Sequence, residues 1–369
     1  MTTSAVIFID NQPHALGVPD ATVSASDAAQ LRALPGQVNE ALENDFCFAV
    51  GLLPYDAGHW LQDLPEHNPS TVVVHLYRQP PQPGLPLSST PFRLTAPFQP
   101  AQQKRDYLAS LARVRDYLLA GDCYQVNLTQ RFSARFQGSP LTAWLSLLAA
   151  HPAPHACYFD SGHEVVFGVS PERFLSLHDG QLITQPIKGS RPRGATPADD
   201  LALGEGLQHN PKDRAENLMI VDLLRNDLGA LCTPGSVHAE PLFALHKFSN
   251  VQHLISTIRG TLRPEVLPLD ALLSAFPGGS ITGAPKRRAM EIIAELEPLP
   301  RGPYCGSLFW LDNQGRMDSN ILIRTLHTDG DQLHCHGGGG IVFDSVAEEE
   351  YLESVFKIEK LMEAIAHPQ

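Results

Sequence analysis

The sequence predicts an α+β fold with antiparallel sheets. Its strand-like segments occur in clusters, whereas a parallel sheet would alternate them one for one with helices. The strand-like runs that follow the first third of the chain lie at 164–168, 173–177, 181–187, 303–311, 320–326, 332–336 and 340–343. Helical patterns lie at 211–228, 284–296 and 346–366.

The N-terminal part contains shorter strand-like segments, at Ala5–Ile9 and Thr71–His75. The stretch 80–100 then holds seven prolines, a composition typical of a loop or linker. We therefore expect a division into a short N-terminal part, residues 1–97, and a longer C-terminal part, residues 98–369.

An amphipathic helix follows the proline-rich stretch. Tyr107, Leu111, Val114 and Leu118 repeat on one face, and Gly121 supplies a C-terminal stop. The next segment, 124–129, alternates strictly between apolar and polar residues. This period of two predicts a half-buried strand with one polar face.

Composition limits the class of protein. The chain has 369 residues, 43% hydrophobic and 18% charged, with a net charge of −13. An acidic surface argues against nucleic acid or an anionic membrane as a partner. No apolar run reaches the ~18 residues of a membrane span, and residues 1–10 lack the basic start of a signal peptide. The six cysteines form no C-x-x-C pair, so we expect a reduced, cytoplasmic protein.

Two glycine-rich segments are candidates for ligand contact. The first, 278–286, resembles a phosphate loop, but Ala284 and Pro285 stand before Lys286 where a Walker loop needs Lys directly after Gly. A nucleotide site is therefore disfavoured. The second, 337–340, lets the backbone approach a ligand closely, although a flexible turn explains it equally well.

Two pairs of carboxylates lie on one side of predicted helices. Asp213 and Glu216 are spaced i, i+3, as are Glu350 and Glu353, with Lys357 one further turn on. Taken locally, the first pair only complements the helix dipole, and the second belongs to a solvated face with a Glu353–Lys357 ion pair. Two facing pairs, however, would suit Mg²⁺, which prefers oxygen ligands and keeps water.

Three cationic or titratable side chains interrupt apolar segments. Arg324 lies in Ile321–Leu326 and can grip a carboxylate bidentately. Lys188 follows Pro186-Ile187, where desolvation would lower its pKa and make it a nucleophile. His253 lies in Val251–Ile255 and, taken locally, is a satisfied core histidine.

Many segments, in one consistent order, together resemble the chorismate-utilising enzymes, the family of anthranilate synthase component I, aminodeoxychorismate synthase component I, and the isochorismate and salicylate synthases. They run over about 98–366 and are 121–132, 170–174, 186–190, 213–227, 253–257, 276–286, 301–306, 321–325, 338–341 and 350–353.

The resemblance implies a large α/β/α sandwich with two antiparallel sheets, an active site in the cleft between them, and a chorismate-binding catalytic domain at 98–369. It implies Mg²⁺ as cofactor, bound by Glu216 and Glu353, with Asp213 and Glu350 as outer or water-mediated ligands. Glu172 matches the general acid and His253 the family's active-site histidine. The residues that match the substrate-binding positions are Thr282, Tyr304, Arg324, Gly338, Gly339, Gly340 and Lys357.

Two positions separate the chemistries within the family. Isochorismate and salicylate synthases carry a base lysine where this chain has Gln125, so addition of water is not expected. Anthranilate synthases have a small residue where this chain has Lys188, and the Pro186–Gly189 segment resembles that of aminodeoxychorismate synthases. The resemblance therefore implies amination of chorismate at C4, with anthranilate synthase component I and a non-catalytic chorismate-binding subunit as alternatives.

The sequence also departs from parts of the family pattern. We find no Leu-Leu-Glu-Ser segment of the tryptophan pocket, and no cysteine in a Gly-x-Cys-x-Gly elbow that would mark a glutaminase. We therefore expect ammonia to come from solution or from a separate glutamine amidotransferase subunit.

Overall fold

The computed structural model describes residues 2–66, 68–248 and 251–367. Two compact units are present. The first comprises residues 1–171, 276–314 and 319–369, and the second comprises residues 172–275 and 315–318. Residues 1–97 and 98–171 both belong to the first unit, so its boundary does not coincide with the proline-rich stretch.

The strands follow the chain in this order: β1 (Ala5–Ile9), β2 (Gln12–Leu16), β3 (Ala21–Ala25), β4 (Phe48–Leu53), β5 (Val72–Tyr77), β6 (Gln82–Pro83), β7 (Phe92–Leu94), β8 (Gln99–Pro100), β9 (Gln125–Gly138), β10 (His155–Asp160), β11 (Val165–Ser170), β12 (Arg173–His178), β13 (Gln181–Thr184), β14 (Ile187–Pro192), β15 (His238–Ala239), β16 (Ala244–Lys247), β17 (Val251–Ile255), β18 (Ile258–Thr261), β19 (Gly283–Ala284), β20 (Ser307–Asp312), β21 (Met317–Asn320), β22 (Thr325–Asp329) and β23 (Gln332–Ile341).

The helices are α1 (Ala28–Asn44), α2 (Gly58–Leu61), α3 (Lys104–Ala120), α4 (Pro140–Ala150), α5 (Pro197–His209), α6 (Pro211–Gly229), α7 (Pro268–Ala275), α8 (Gly279–Thr282), α9 (Lys286–Leu296) and α10 (Ala347–Ala366), with a 3-10 turn at Tyr55–Ala57. The predicted α+β class with large antiparallel sheets is confirmed. No helix in the described ranges is both long and apolar enough to cross a membrane.

The first unit is layered. Its large antiparallel sheet has the order β19-β9-β23-β22-β11-β10-β1-β2-β6, and β7 and β8 also pair with β9. Antiparallel strands β20-β4-β5-β3 form the next layer. Phe159 and Val166 from the large sheet share one apolar core with Phe48 and Trp310 from this second layer. The predicted sandwich is therefore present within this unit.

Helices cover the outer faces of these layers. Helices α4 and α10 pack on the large sheet through a second core, which includes Trp144, Leu147, Ile358 and Leu361. Helix α1 packs against β3 and β4. Asp27 caps α1 by accepting a hydrogen bond from the Gln30 backbone N–H, as an N-cap aspartate should.

The second unit combines antiparallel strands in the order β15-β18-β13-β12 with a small sheet, β14-β17-β16. Helices α5 and α6 pack against β14. Asn210 caps α6 through the Asp213 backbone N–H at 3.0 Å, and Pro211 occupies its first turn. The Asn-Pro sequence predicts this start, because the first helical residue needs no N–H for the helix hydrogen bonds and proline has none.

Four of the predicted strand-like runs differ from the observed strands. Residues 181–187 do not form one strand, since β13 and β14 pair with different partners and Pro186, which has no N–H to give a ladder, lies between them. The segment 320–326 is interrupted between β21 and β22. The runs 332–336 and 340–343 belong largely to one strand, β23, which ends at Ile341.

The half-buried strand predicted at 124–129 is wrong in its burial. Gln125, Asn127 and Thr129 are 1%, 6% and 3% exposed, whereas Tyr124 on the apolar face is 69% exposed. The polar face is covered because Asn127 donates to the Ile281 carbonyl and Thr129 donates to Glu297. Distant polar partners thus bury a face that composition alone assigns to solvent.

Candidate functional site

Lys188 lies in the second unit on an irregular part of β14. The register of β14 against β17 shifts between Ile187 and Ser190, and Gly189 has a φ of +81°. A side chain at 189 would lie 2.9 Å from Leu207 and 3.1 Å from Asp213, so only glycine fits this close approach to α5 and α6. Lys188 is half-buried instead of fully enclosed by an apolar strand.

His253 lies on β17 beside this irregularity. The side chain is 2% exposed, and its Nδ1 is 2.7 Å from the Ser190 hydroxyl oxygen. Ser190 stands directly opposite His253 in the β14–β17 pair. The small sheet therefore brings Lys188 and His253, two of the three predicted catalytic residues, to adjacent strands.

The first carboxylate pair lies on the first two turns of α6. Asp213 accepts a hydrogen bond from Arg191 Nη2 at 3.0 Å, and its side chain is 18% exposed. The Glu216 Oε1 atom is 4.0 Å from Lys212 Nζ. Both carboxylates are therefore partly screened by cations, and Asp213 also contacts the strand that carries Lys188.

Glu172 begins the second unit immediately before β12. It is 5% exposed. Its neighbour Arg173 makes two hydrogen bonds to Asp318, at 3.0 and 2.9 Å, and one to Gln185 at 2.8 Å. The bidentate pair holds the backbone at 173 in place, and so it limits the directions in which the buried Glu172 carboxyl can point.

The predicted glycine segment lies in the first unit on β23, beneath the start of α10. A side chain at Gly337 would collide with the carbonyl oxygen of Ser354 on α10. A Cβ at Gly339 would lie 3.2 Å from Glu350 Oε2, 3.6 Å from Lys357 Nζ and 3.7 Å from Glu353 Oε1. Glycines are needed here because the helix and its charged side chains approach the strand backbone closely.

Four predicted residues thus meet in one place. Lys357 Nζ contacts Glu353 Oε1 at 2.7 Å and donates to the Gly338 carbonyl at 3.0 Å. Glu350 is 8% exposed and accepts a hydrogen bond from Ser345 at 2.6 Å. The expected Glu353–Lys357 ion pair is therefore present, but it lies over the glycine segment.

Tyr304 belongs to a stack of buried aromatic rings. Its ring is 4.8 Å from that of His336 at an interplanar angle of 11°, and His336 stacks on His327 at 5.8 Å. Burial raises the pKa of the Tyr304 hydroxyl far above its ordinary value, so the phenol stays protonated and able to donate. Burial, with other cationic groups nearby, lowers the pKa of His336 well below 6.5.

Arg324 and Thr282 stand at special backbone positions. Arg324 has a φ of +50°, a left-handed conformation that a non-glycine residue seldom adopts, and burial lowers its guanidinium pKa. Thr282 is 0% exposed, and its hydroxyl donates to the Gly278 carbonyl at 2.9 Å. That hydroxyl proton is committed to the backbone of α8, so Thr282 would offer a ligand its oxygen lone pair or backbone.

The donor chemistry of the carboxylates fits a magnesium ion. Within residues 2–66, 68–248 and 251–367, no group of three or more His, Cys, Asp or Glu side chains is arranged to hold a metal. Each unit instead presents a pair, Asp213 with Glu216 and Glu350 with Glu353. A pair of carboxylates is what Mg²⁺ takes when water and substrate complete its shell. The predicted convergence of Glu216 and Glu353 stays a prediction.

Sequence reasoning missed several residues that hold these groups. Ser190 and Arg191 bind His253 and Asp213 from the same strand, and they follow Lys188 and Gly189 in the sequence. Arg301, which is 1% exposed, pairs with Glu297 at 2.7 Å. The i, i+4 spacing of Glu297 and Arg301 was the available signal.

Known proteins resemble this chain over most of its length. A family model described as a chorismate binding enzyme matches residues 57–363. Aminodeoxychorismate synthase component 1 of Salmonella typhimurium is 46% identical over 273 residues, which is 74% of this chain and 60% of that protein. Anthranilate synthase component 1 of Pseudomonas putida is 37% identical over 361 residues, 97% of this chain and 71% of that protein.

A solved structure also resembles this chain in its fold. Anthranilate synthase component I from Streptococcus pneumoniae superposes with a TM-score of 0.76 at 27% identity, covering 97% of this chain and 90% of that one. The chain spans only about 60% of the length of the aminodeoxychorismate synthase relatives that it matches.

Proposed function

Because the chain belongs to the chorismate binding enzyme family, we propose that it converts chorismate and ammonia to 4-amino-4-deoxychorismate, as component I of an aminodeoxychorismate synthase. The observation that carries this proposal is the likeness to the Salmonella aminodeoxychorismate synthase component 1, at 46% identity. The same reaction would supply a precursor of p-aminobenzoate and folate.

Lys188 is proposed as the nucleophile that directs amination to C4. Loss of the C4 hydroxyl makes C2 electrophilic through the conjugated ring, so free ammonia would add at C2. If the Lys188 amine bonds to C2 first, the ring double bonds shift and C4 becomes the open position. Ammonia then bonds to C4, the C2–N bond breaks, and the lysine leaves as a free amine. It lies at the β14 irregularity, where the side chain is half-buried.

Glu172 is proposed as the acid that protonates the C4 hydroxyl, so that it departs as water. Glu172 is 5% exposed, so the proposed acid is shielded from bulk water. His253 would accept or return protons during amination, with Ser190 fixing the orientation of its ring. The small sheet supports this division of roles because it orders His253 and Lys188 on paired strands.

The charged groups of the first unit are proposed to hold the substrate carboxylates. Arg324, Tyr304, Lys357 and the backbone of 338–340 would bind them, since a buried arginine and a protonated phenol are strong donors. Glu216 and Glu353 would hold Mg²⁺, with Asp213 and Glu350 as outer partners. When bound, the ion would neutralise the ring carboxylate of chorismate.

The proposed source of ammonia is a separate glutamine amidotransferase subunit, and the proposed location is the cytoplasm. The name component 1 of the relatives supports a partner subunit. Anthranilate synthesis is the second candidate, supported by the relative from Pseudomonas putida that matches 97% of the chain.

Identification of the product tests the proposed function. The purified chain is incubated with chorismate, ammonium and Mg²⁺, and the products are separated and identified by mass spectrometry. We expect 4-amino-4-deoxychorismate. Anthranilate as the main product would favour the second candidate, and a chain that binds chorismate without turnover would favour a non-catalytic subunit.

A further inference from the structure

One ion pair in the first unit is more deeply buried than those of the proposed site. The side chains of Arg301 and Glu297 are 1% and 6% exposed. Their contact is bidentate, with Arg301 Nε donating to Glu297 Oε2 at 2.8 Å and Nη2 donating to Oε1 at 2.7 Å. The guanidinium also lies over the ring of Tyr55, 4.5 Å from its centroid. Neither residue has a role in the reaction proposed above.

The remaining hydrogen bonds of this pair reach two other segments of the chain. Arg301 donates to the Ile281 carbonyl at 2.9 Å and to the Asn127 carbonyl at 2.6 Å. Glu297 Oε1 accepts from the Thr129 backbone N–H at 2.8 Å and from its hydroxyl at 2.9 Å. The two side chains therefore join the end of α9, the end of α8 and the start of β9.

Each of these segments adjoins a proposed substrate contact. Ile281 directly precedes Thr282. Asn127 and Thr129 stand opposite Gly340 and Gly338 in the β9–β23 pair, and the Arg301 carbonyl accepts from the Tyr304 N–H at 3.1 Å. The pair thus contacts backbone next to three groups of the predicted substrate site, which are Thr282, Tyr304 and the 338–340 segment. Neither Arg301 nor Glu297 is itself one of those groups.

Stability alone is a weak reason for such a pair. Burying two charges carries a desolvation cost that their attraction often only offsets, and apolar replacements of similar volume are frequently no less stable. A planar guanidinium with five fixed donors is, however, well suited to set the relative positions of several carbonyl groups.

We propose that Arg301 and Glu297 form a positioning pair that holds Thr282, Tyr304 and the Gly338–Gly340 backbone in the geometry that binds chorismate. This inference rests on the proposed function of those residues. The pair acts through hydrogen bonds to the backbone, so it should govern substrate binding more than the chemical step.

The test uses two variants that differ in what they remove. Arg301→Met combined with Glu297→Gln removes the buried charges together, leaves an amide oxygen for Thr129, and removes the donors to Ile281 and Asn127. Arg301→Lys keeps the charge, but the three donors of an ammonium group cannot replace the four hydrogen bonds that the Arg301 guanidinium makes to Glu297, Ile281 and Asn127. For each variant, kcat, the KM for chorismate, and the Tm with and without chorismate are measured.

Two control variants separate positioning from general stability. Glu295→Gln removes a carboxylate of α9 that forms an exposed ion pair with Arg113. Leu31→Ala opens a cavity in the α1 core, where Leu31 is 0% exposed, and lowers the Tm away from these segments. Neither residue belongs to the proposed site.

We expect the double variant to raise the KM for chorismate about tenfold or more, as small misplacements of binding groups do, with a smaller change in kcat. Arg301→Lys should lie between it and wild type, and both controls should keep the wild-type KM. An unchanged KM in a folded double variant or in Arg301→Lys, or an equal rise in KM in Leu31→Ala, would overturn the proposal. If the Tm of the wild-type chain rises with chorismate but no 4-amino product forms, the proposed function would be contradicted. The positioning pair would then be tested by comparing the chorismate-induced rise in Tm between the wild type and the variants.

Discussion

At the scale of single residues, the side chains that follow Lys188 on β14 hold two other residues of the proposed site. Ser190 holds the His253 ring at 2.7 Å, and Arg191 holds Asp213 at 3.0 Å. Within four consecutive positions, 188–191, β14 thus carries the proposed nucleophile and the two side chains that hold His253 and Asp213. A substitution in this strand should therefore affect the proposed reaction more than it affects the stability of the fold.

The choice of product depends most directly on Lys188. Lys188→Ala should sharply reduce 4-amino-4-deoxychorismate, because ammonia would again be directed to C2. Any remaining amination should give 2-amino-2-deoxyisochorismate or anthranilate, detected by mass and retention time. Lys360→Ala, which removes an exposed lysine from α10, is the control. A lysine that only pairs with a carboxylate would give a slower enzyme with the same product, and the 4-amino product at nearly wild-type rate would exclude the nucleophile.

The carboxylates make a second prediction at this scale. Glu216→Ala and Glu353→Ala should each abolish Mg²⁺-dependent turnover and leave the circular dichroism spectrum unchanged, because each removes oxygen ligands from the surface of a helix. Chelation with EDTA should inactivate the wild type, and added Mg²⁺ should restore it. Glu349→Ala, an exposed change on the same helix as Glu353, serves as control. Normal turnover in either variant would remove that residue from the metal site.

At the scale of elements, β22 and β23 carry a group of buried histidines that sequence analysis did not single out. His327, His334 and His336 are 8%, 4% and 3% exposed. Burial, reinforced by neighbouring cationic groups such as Arg131, lowers the pKa of His327 to about 3 and that of His334 to about 4. These rings are therefore neutral in the folded protein at neutral pH.

Neutral buried histidines make stability depend on pH. Their pKa is about 6.5 in the unfolded chain, so below that pH the unfolded state binds more protons than the folded state. The free energy of unfolding should then fall as the pH drops from about 6.5 towards 4, by up to about 1.4 kcal/mol per histidine for each pH unit. Measured as Tm at pH 7 and pH 5, the loss should be smaller in His327→Gln.

Glu164 supplies a control of opposite sign. Burial, and then the charge of Asp329, raises its pKa to about 7, so the folded state holds a proton there that the unfolded state releases above about pH 4.3. Glu164→Gln should therefore increase the loss of Tm between pH 7 and pH 5. If wild type and both variants lost the same amount, the histidines would not be the cause.

At the scale of the whole molecule, the proposed reaction needs a supply of ammonia as well as a site for chorismate. The second unit contains the proposed acid and nucleophile, and the first unit contains the proposed carboxylate-binding groups. None of the cysteines lies in the nucleophile elbow of a glutaminase. The chain should consequently depend on added ammonia or on a partner that makes it.

The source of ammonia can be tested with the purified chain. We expect turnover of chorismate with ammonium salts, none with glutamine alone, and glutamine-dependent turnover after addition of a glutaminase subunit. Raising the pH from 7 to 8 at constant total ammonium should increase the rate, because it raises the fraction of free NH₃. Glutamine-dependent turnover by the chain alone would reveal a hydrolase site that its sequence does not predict.

Local patterns were sufficient for the helices that carry the carboxylates. The cap at Asn210 and the proline after it placed the start of α6 at the residue observed, Pro211, and the charged and apolar faces of 346–366 placed α10. These features could be predicted because each depends on residues within one or two turns of each other.

Long-range packing decided the rest. Asn127 and Thr129 were expected to face solvent, yet they are buried, because Ile281 and Glu297, 154 and 168 positions away from them, supply their hydrogen-bond partners. In the same way, Arg301 gained the carbonyl groups of Ile281 and Asn127 as partners only on folding. A single sequence records the polarity of a side chain and its local period, whereas its burial depends on which distant groups can satisfy it, and those are brought together only by the tertiary structure.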